Sequence, residues 1–477
     1  MSTPFFPLWV ADFSSACRRF RTPAQGSVHQ LERFCSPWIP SWRLAQQDEE
    51  AFSRDRHWSL RLTFWCFLWQ VARAGSSCRD AVRQAVALRS SLGLRAPSNG
   101  SAAYCLARAK LPVERLDEIH RHVVREAQSR VTQGDLWCGR RVRVVDATCL
   151  TMADTPENQA VYPQISGQKP GCGFPAARIL ASFCLATGML MHWVTGHYYQ
   201  NELSLLATLL EDFGRGEVLL GDRGFGNYPV LAQCLVRSLD GVFRANTAKR
   251  RVDLRHGKRL GKQDRLVEWH RGQRPRYMKD EHWAQMPEAI TVRLVKVQAR
   301  LPGFRTRSVL LVTTLLDPLK YPPEALAKLY RRRWEMELCF RHLKTTLQMD
   351  HLSCKTPPMI ERELRLHILS HNLIRRVALE AARQHCVPLQ RISFAGTLGG
   401  LHIFAEACLR ATSPKAQQRL RHKLYQLLAK DLLPERPGRR EPRAVKRRPK
   451  THPYLTTHRK HYLEIPHRNR HWRIQKN

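Results

Sequence analysis

A change of period near residue 140 constrains this chain more than any other feature. Up to about residue 132 the apolar residues recur at helical spacing, whereas Arg141-Val-Arg-Val-Val-Asp146 alternates with period two and ends in a carboxylate. Glu217-Val-Leu-Leu-Gly-Asp222 is a second short strand that ends the same way. Between them, stretches 178–186 and 189–196 flank Thr187-Gly188, which predicts a β-hairpin, and 201–213 reads as a helix. A helix over 228–239 and a strand over 241–246 follow. The order β, β, β, α, β, α, β predicts an α/β fold, a mixed sheet with helices packed on it.

The rest of the chain surrounds that core. Residues 58–73 are apolar and aromatic, and Ser77 with Asp80 makes a capping box for a helix over 78–90. A helix over 98–110 sets Ser98, Ser101, Tyr104 and Arg108 along one side, read as the groove-facing strip of a helix-turn-helix-like unit. Residues 247–307 are basic, turn-rich and locally alternating, an apolar strand spans 308–316, and Pro322 begins one long helix to about residue 347. The expected organisation is a helical DNA-binding region over 1–132 and the first part of the core over 133–246. A β-rich insertion over 247–307, the second part of the core over 308–357, a C-terminal helical region over 358–433 and a basic arm over 434–477 complete it.

Charge narrows the partners. With 79 Lys and Arg against 40 Asp and Glu the chain carries +39, of which the arm supplies +11, so the body itself is basic. Such a surface binds polyanions, because each neutralised phosphate releases condensed counterions. The 14 cysteines, scattered from Cys17 to Cys408 without a C-x-x-C pair, read as thiols of a reducing compartment. His458, His461, His467 and His471 lie in the arm without cysteine support and are not read as a zinc site. Gly221-Asp-Arg-Gly-Phe-Gly226 has the wrong order for a dinucleotide fingerprint and reads as a turn. The N-terminus lacks a signal-peptide pattern, and the apolar stretches 62–72 and 179–195 read as core, one too short and the other interrupted by Thr187-Gly188. The expectation is a soluble, cytoplasmic protein with no membrane partner.

Two carboxylates at one end of a sheet repel unless one is protonated or a cation lies between them, and oxygen ligands of this kind suit Mg²⁺ or Mn²⁺. Asp146 and Asp222 are equally compatible with ending a strand or capping a turn. A third element bears on the choice. Within 325–347, Met336, Phe340, Leu343 and Leu347 form an apolar stripe, while Tyr330, Arg333, Glu337, Arg341 and Lys344 form a second stripe at spacings of three and four. At about 100° per residue Glu335 falls about 160° away from Glu337 and off that stripe. Helical ion pairing accounts for Glu337 beside Arg333 and Arg341 but leaves Tyr330 and the aspartates unexplained.

Tyr330-x2-Arg333-x3-Glu337-x6-Lys344 resembles the Tyr-Arg-Glu-Lys signature of the insertion-sequence transposases of family four, which carry Asp-Asp-Glu catalytic triads. Val-Val-Asp146-Ala-Thr, Gly-Asp222-Arg-Gly-Phe, Leu-Val-Thr-Thr-Leu-Leu-Asp317 and Pro-Arg-Ala-Val-Lys446-Arg-Arg-Pro-Lys extend the resemblance over most of the chain. It implies a ribonuclease-H-like mixed-sheet catalytic core with a β-rich insertion before Glu337, flanked by N- and C-terminal helical regions. Asp146, Asp222 and Glu337 would be both catalytic and metal-binding, and Tyr330, Arg333, Arg341 and Lys344 would contact DNA. Ala147 stands where family members often have Gly. The family's insertion can also supply a Trp that holds a flipped base, for which Trp269 and Trp283 are the candidates.

Phosphodiester hydrolysis and transesterification need an activated hydroxyl and charge neutralisation at phosphorus, which two divalent ions between carboxylates supply. The expectation is a cut-and-paste DNA transposase using two Mg²⁺ (or Mn²⁺) ions. Its partners would be terminal inverted-repeat DNA, target DNA and a second copy of itself in a synaptic homodimer. A ribonuclease-H-like nuclease without strand transfer and a non-catalytic DNA-binding derivative are the alternatives.

Overall fold

The computed structural model describes residues 27–44, 57–91, 93–246, 254–298, 308–411, 413–435, 455–458 and 461. Most of the basic arm over 434–477, and residues 247–253 and 299–307 of the expected insertion, lie outside the described residues. In chain order the helices and strands begin with α1 (Ser27–Cys35), α2 (Leu60–Ala72), α3 (Cys78–Ser91), α4 (Ala102–Ala109) and α5 (Val113–Gln128). Next come β1 (Val142–Met152), α6 (Pro156–Val161), β2 (Ala176–Cys184), β3 (Leu190–His197), α7 (Glu202–Leu209), β4 (Val218–Gly221), α8 (Tyr228–Val236) and β5 (Asp240–Arg244). Then follow β6 (Lys258–Gly261), β7 (Asp264–His270), α9 (Asp280–Ala284), β8 (Ala289–Gln298), β9 (Ser308–Thr313), α10 (Pro323–Arg332) and α11 (Trp334–Arg341). The last are β10 (His351–Leu352), α12 (Pro357–Gln384), α13 (Phe394–Arg410) and α14 (Pro414–Lys430).

These elements form two compact units, one from residues 1–126 and 365–432, the other from 127–364 and 433–477. In the first unit α2 is apolar apart from a few positions such as Arg61 and Gln70 and is buried nearly throughout, begun by Ser59, whose hydroxyl accepts from the Leu62 amide. The capping box of α3 forms as the sequence predicts, with Ser77 and Asp80 bonded reciprocally. The groove-facing strip on α4 does not: Tyr104 is fully buried and Arg108 nearly so. Gln70, a polar side chain on the apolar α2, is the reason, because a buried amide needs partners and the Tyr104 hydroxyl donates to its Oε1 at 2.9 Å. Arg108 lies over the Phe67 ring. The N- and C-terminal helical stretches meet within this unit, where Arg365 pairs with Asp117 at 2.8 Å.

The second unit is built on one sheet in the order β3-β2-β1-β4-β5-β9-β8-β7-β6, with β10 on the end of β1. β1 runs antiparallel to β2 and parallel to β4, and β4 is parallel to β5. With the β2–β3 hairpin antiparallel, this is the mixed sheet of a ribonuclease-H-like core. α7 and α8 bury Leu205, Leu206, Leu209 and Leu231 against Val145, Leu219 and Phe243 of the sheet. β6, β7 and β8 continue the same sheet: β8 pairs with β9 from Arg293↔Thr313 to Gln298↔Ser308.

Two further expectations change. β1 does not stop at Asp146 but continues to Met152, because β2 pairs with it as far as Thr151 and β10, two hundred residues on, pairs with its end. The expected single helix over 322–347 is three segments, α10, α11 and a π-turn over His342–Thr346. The break has no Gly or Pro. At Arg333 the backbone stays helical but tightens to i→i+3 bonds, and at the far end the Leu347 amide reaches back to the His342 carbonyl.

Candidate active site

The parallel pair β1 and β4 sets the two aspartates. Val142, Arg143 and Val144 pair with Val218, Leu219 and Leu220, so Asp146 and Asp222, each two positions further, stand at matching register where the strands part. Below the fork, Arg143 and Glu217 form a buried ion pair at 2.9 Å that ties β1 to the start of β4. Asp146 Oδ1 accepts from the Ala147 amide at 2.9 Å, and Asp222 Oδ1 from the Gly224 amide at 2.7 Å. Each carboxylate is thus oriented through one oxygen. The turn after Asp222 returns close to β5: a Cβ on Gly226 would lie 2.2 Å from the Arg244 carbonyl oxygen, so only glycine fits there.

The segment carrying Glu337 packs on β1 and β2. Met336, Phe340, Leu343 and Leu347 are buried, as their spacing predicts, and Phe340 meets Phe183 of β2 edge to face. Each such side chain contributes about 1.5 to 3 kcal/mol when fully buried. Arg332 donates to the Leu185 carbonyl at 3.1 Å, and Lys344 donates to the Cys149 carbonyl at 2.9 Å and the Thr148 hydroxyl at 3.2 Å.

The opposite face brings the acids and Arg333 together. Arg333 Nη2 donates to Glu337 Oε1 at 3.1 Å, and its Nη1 lies 3.9 Å from Asp146 Oδ2. Tyr330 is close enough to the same guanidinium to feel its charge. Burial pushes the Asp146 carboxyl up to about 6; the Ala147 amide and Arg333 pull it down, and the charges of Asp222 and Glu202 add to the rise. Burial also raises the Tyr330 phenol, with Arg333 and Arg244 opposing and Asp222 adding.

Of the residues singled out in the sequence, Asp146, Asp222, Tyr330, Arg333 and Glu337 therefore form one cluster. Lys344 is bonded to β1 at a point displaced by the π-turn, and Arg341 is exposed at the end of α11. Trp269 lies in the core and Trp283 packs against it beside Tyr228, so neither stands free to hold a base. Three neighbours escaped the sequence reading. Arg244 closes β5 at the same end of the sheet as the aspartates, Glu202 opens α7, and Trp334, 45% exposed, has the Arg333 guanidinium 5.4 Å from its ring centroid. A basic residue ending the third parallel strand was the available signal for Arg244.

The donor set suits a hard divalent cation: three carboxylates, two of them at matching register with one oxygen each held by a backbone amide. Among the described residues no three His, Cys, Asp or Glu side chains converge on one ion position. Glu337 is turned to Arg333 instead.

A family model for the Transposase DDE domain matches residues 137–373, a span that holds the whole cluster. The transposase InsG of insertion sequence element IS4 from Escherichia coli K12 is 26% identical over 416 residues, covering 84% of this chain and 88% of that protein. The chain belongs to the DDE transposases of insertion-sequence family four. The Escherichia coli transposase for insertion sequence element IS421 is 38% identical to it over 66 residues, 14% of this chain and 18% of that protein. A solved structure, the piggyBac transposase synaptic complex with hairpin DNA, covers 86% of each chain at 12% identity with a TM-score of 0.40. DNA transposition is the work of this family, and DNA is the transposase's partner. No helix among the described residues is long and apolar enough to cross a membrane.

Proposed function

We propose that this transposase binds the terminal inverted repeats of its element, cuts them free and joins them to target DNA, using divalent metal held by Asp146, Asp222 and Glu337. The observation that carries the reading is the matched register of Asp146 and Asp222 across the parallel pair β1 and β4, with the Glu337 segment bonded to β1 through Lys344. Bound there, two Mg²⁺ or Mn²⁺ ions supply acidity toward the attacking hydroxyl and neutralise charge at phosphorus. The backbone amides of Ala147 and Gly224 fix which carboxylate oxygen remains outward. Arg333, Arg244 and Tyr330 offer a guanidinium, a second cation and a phenol to a phosphate arriving beside the acids. Two identical ends call for a twofold pair of protomers.

The test uses the full chain and duplexes carrying the sequences that bracket its coding region. Magnesium-dependent cutting at those ends, followed by their joining to a second DNA, is expected, with Asp222→Asn binding but not cutting. Cutting that persists in a chelator, or that ignores the ends, refutes the proposal.

A further inference from the structure

Arg333 does something in this structure that phosphate binding alone does not explain: it is bonded to Glu337 and faces Asp146. We propose that Arg333 is the internal counter-ion of the cluster, exchanged for metal only when a DNA phosphate takes its guanidinium, so that DNA and metal bind cooperatively. This rests on the reading that Asp146, Asp222 and Glu337 hold the metal.

Three acids brought to one place repel, and a cation must answer them. The nearest is Arg333, 13% exposed, bonded to Glu337 at 3.1 Å and 3.9 Å from Asp146. Glu337 Oε1 accepts from Arg333 Nη2, so that oxygen is withheld from an ion for as long as the bond lasts. A guanidinium keeps its proton and has no lone pair to give a metal, so it competes with the ion for carboxylate oxygens and never shares the ion. The arginine is also incompletely satisfied. Its Nε is buried without a hydrogen-bond partner, and the Asp146 contact is too long for a hydrogen bond. A phosphate offers the fork geometry and the extra oxygens that Arg333 lacks here. DNA that draws Arg333 away frees Glu337 and removes the competing cation, and an ion that displaces Arg333 frees it for DNA. The coupling is reciprocal by thermodynamic necessity.

The experiment measures Mn²⁺ binding to the full-length protein by the electron paramagnetic resonance signal of the free ion, at constant ionic strength, with and without a short duplex of arbitrary sequence. The parent should bind Mn²⁺ weakly alone and about 5- to 150-fold more tightly with duplex, and Mn²⁺ should strengthen duplex binding by the same factor. Arg333→Gln should bind Mn²⁺ tightly without duplex and gain nothing from it, and adding Asp146→Asn should abolish that binding. The parent arm needs no variant, so a poorly folded substitution does not silence the test. A parent that binds Mn²⁺ without duplex as tightly as Arg333→Gln overturns the counter-ion while leaving the metal reading intact. Weak Mn²⁺ binding in every sample, duplex included, sinks the metal reading itself.

Discussion

Glu335 and Glu337 stand one residue apart on α11 and answer to different arginines: Glu335 to Arg332 at 2.7 Å, Glu337 to Arg333 at 3.1 Å. Arg332 is bonded onward to the Leu185 carbonyl beyond β2, whereas Arg333 reaches toward Asp146. The two acids therefore predict different phenotypes. Glu337→Gln should cut element ends at less than about 1% of the parent rate, a loss of about 3 kcal/mol in transition-state stabilisation, while still binding them. Glu335→Gln breaks a partly exposed ion pair worth about 0 to 1 kcal/mol and should cut like the parent. Gel shift and nicking of a labelled end, run on both variants, decide it. An active Glu337→Gln removes Glu337 from the triad.

The split between these acids was legible because 100° per residue survives the tightened turn at Arg333, where the backbone stays helical. The same arithmetic fails for Lys344, which lies inside the π-turn and is delivered to the Cys149 carbonyl. Asp146 and Asp222 were legible from alternation ending in a carboxylate, but the continuation of β1 depends on β10, whose register is fixed by residues two hundred positions away. Tyr104 and Arg108 look like a surface strip because helical spacing does not record that Gln70, 34 positions upstream, needs partners inside the unit. Alternation in 258–298 likewise identified strands without revealing that β8 joins the core sheet through β9.

The base of the fork should be the weak point of the sheet. Arg143 and Glu217 are both buried, and Arg143 Nη1 already lacks a hydrogen-bond partner. Glu217→Gln leaves the guanidinium as an uncompensated buried charge, which costs about 3 to 5 kcal/mol. Hydrogen exchange over β4, read by mass spectrometry, should accelerate accordingly, and the Arg143→Met, Glu217→Leu double variant should recover much of the protection. Unchanged exchange in Glu217→Gln would show that the pair contributes little.

In the first unit, Arg43 Nη2 lies 3.3 Å from His122 Nδ1, so the ring is held neutral as the acceptor. Burial first, and Arg43 second, lower the His122 pKa below its ordinary value. The stability this contributes is present above the unfolded pKa of about 6.5 and is lost as pH falls from there through the lower folded pKa, because the unfolded chain binds the proton more readily in that window. The thermal midpoint should fall between pH 7.5 and 5.5 by more in the parent than in His122→Gln. Parallel midpoints in the two proteins would dismiss His122 as a contributor.

Lys344 and Arg341 make the closing test, because a tethered cation and an exposed one stand three positions apart. Lys344 spends its ammonium on the Cys149 carbonyl and the Thr148 hydroxyl of β1, so Lys344→Met removes charge-assisted hydrogen bonds worth about 1.5 to 3 kcal/mol each and should lower the unfolding midpoint. Arg341 is exposed on the last turn of α11, and Arg341→Gln should leave the midpoint alone. On DNA the order reverses. If Arg341 neutralises one phosphate, its loss reduces the slope of log K against log salt by about 0.9, and Lys344→Met, whose ammonium is already committed to β1, leaves that slope unchanged. Fluorescence anisotropy of a labelled duplex across a salt series, with a thermal melt of each variant, supplies both numbers. A slope that drops for Lys344→Met with no loss of stability would mean that DNA draws the lysine off β1 and that its bonds there belong only to the free protein.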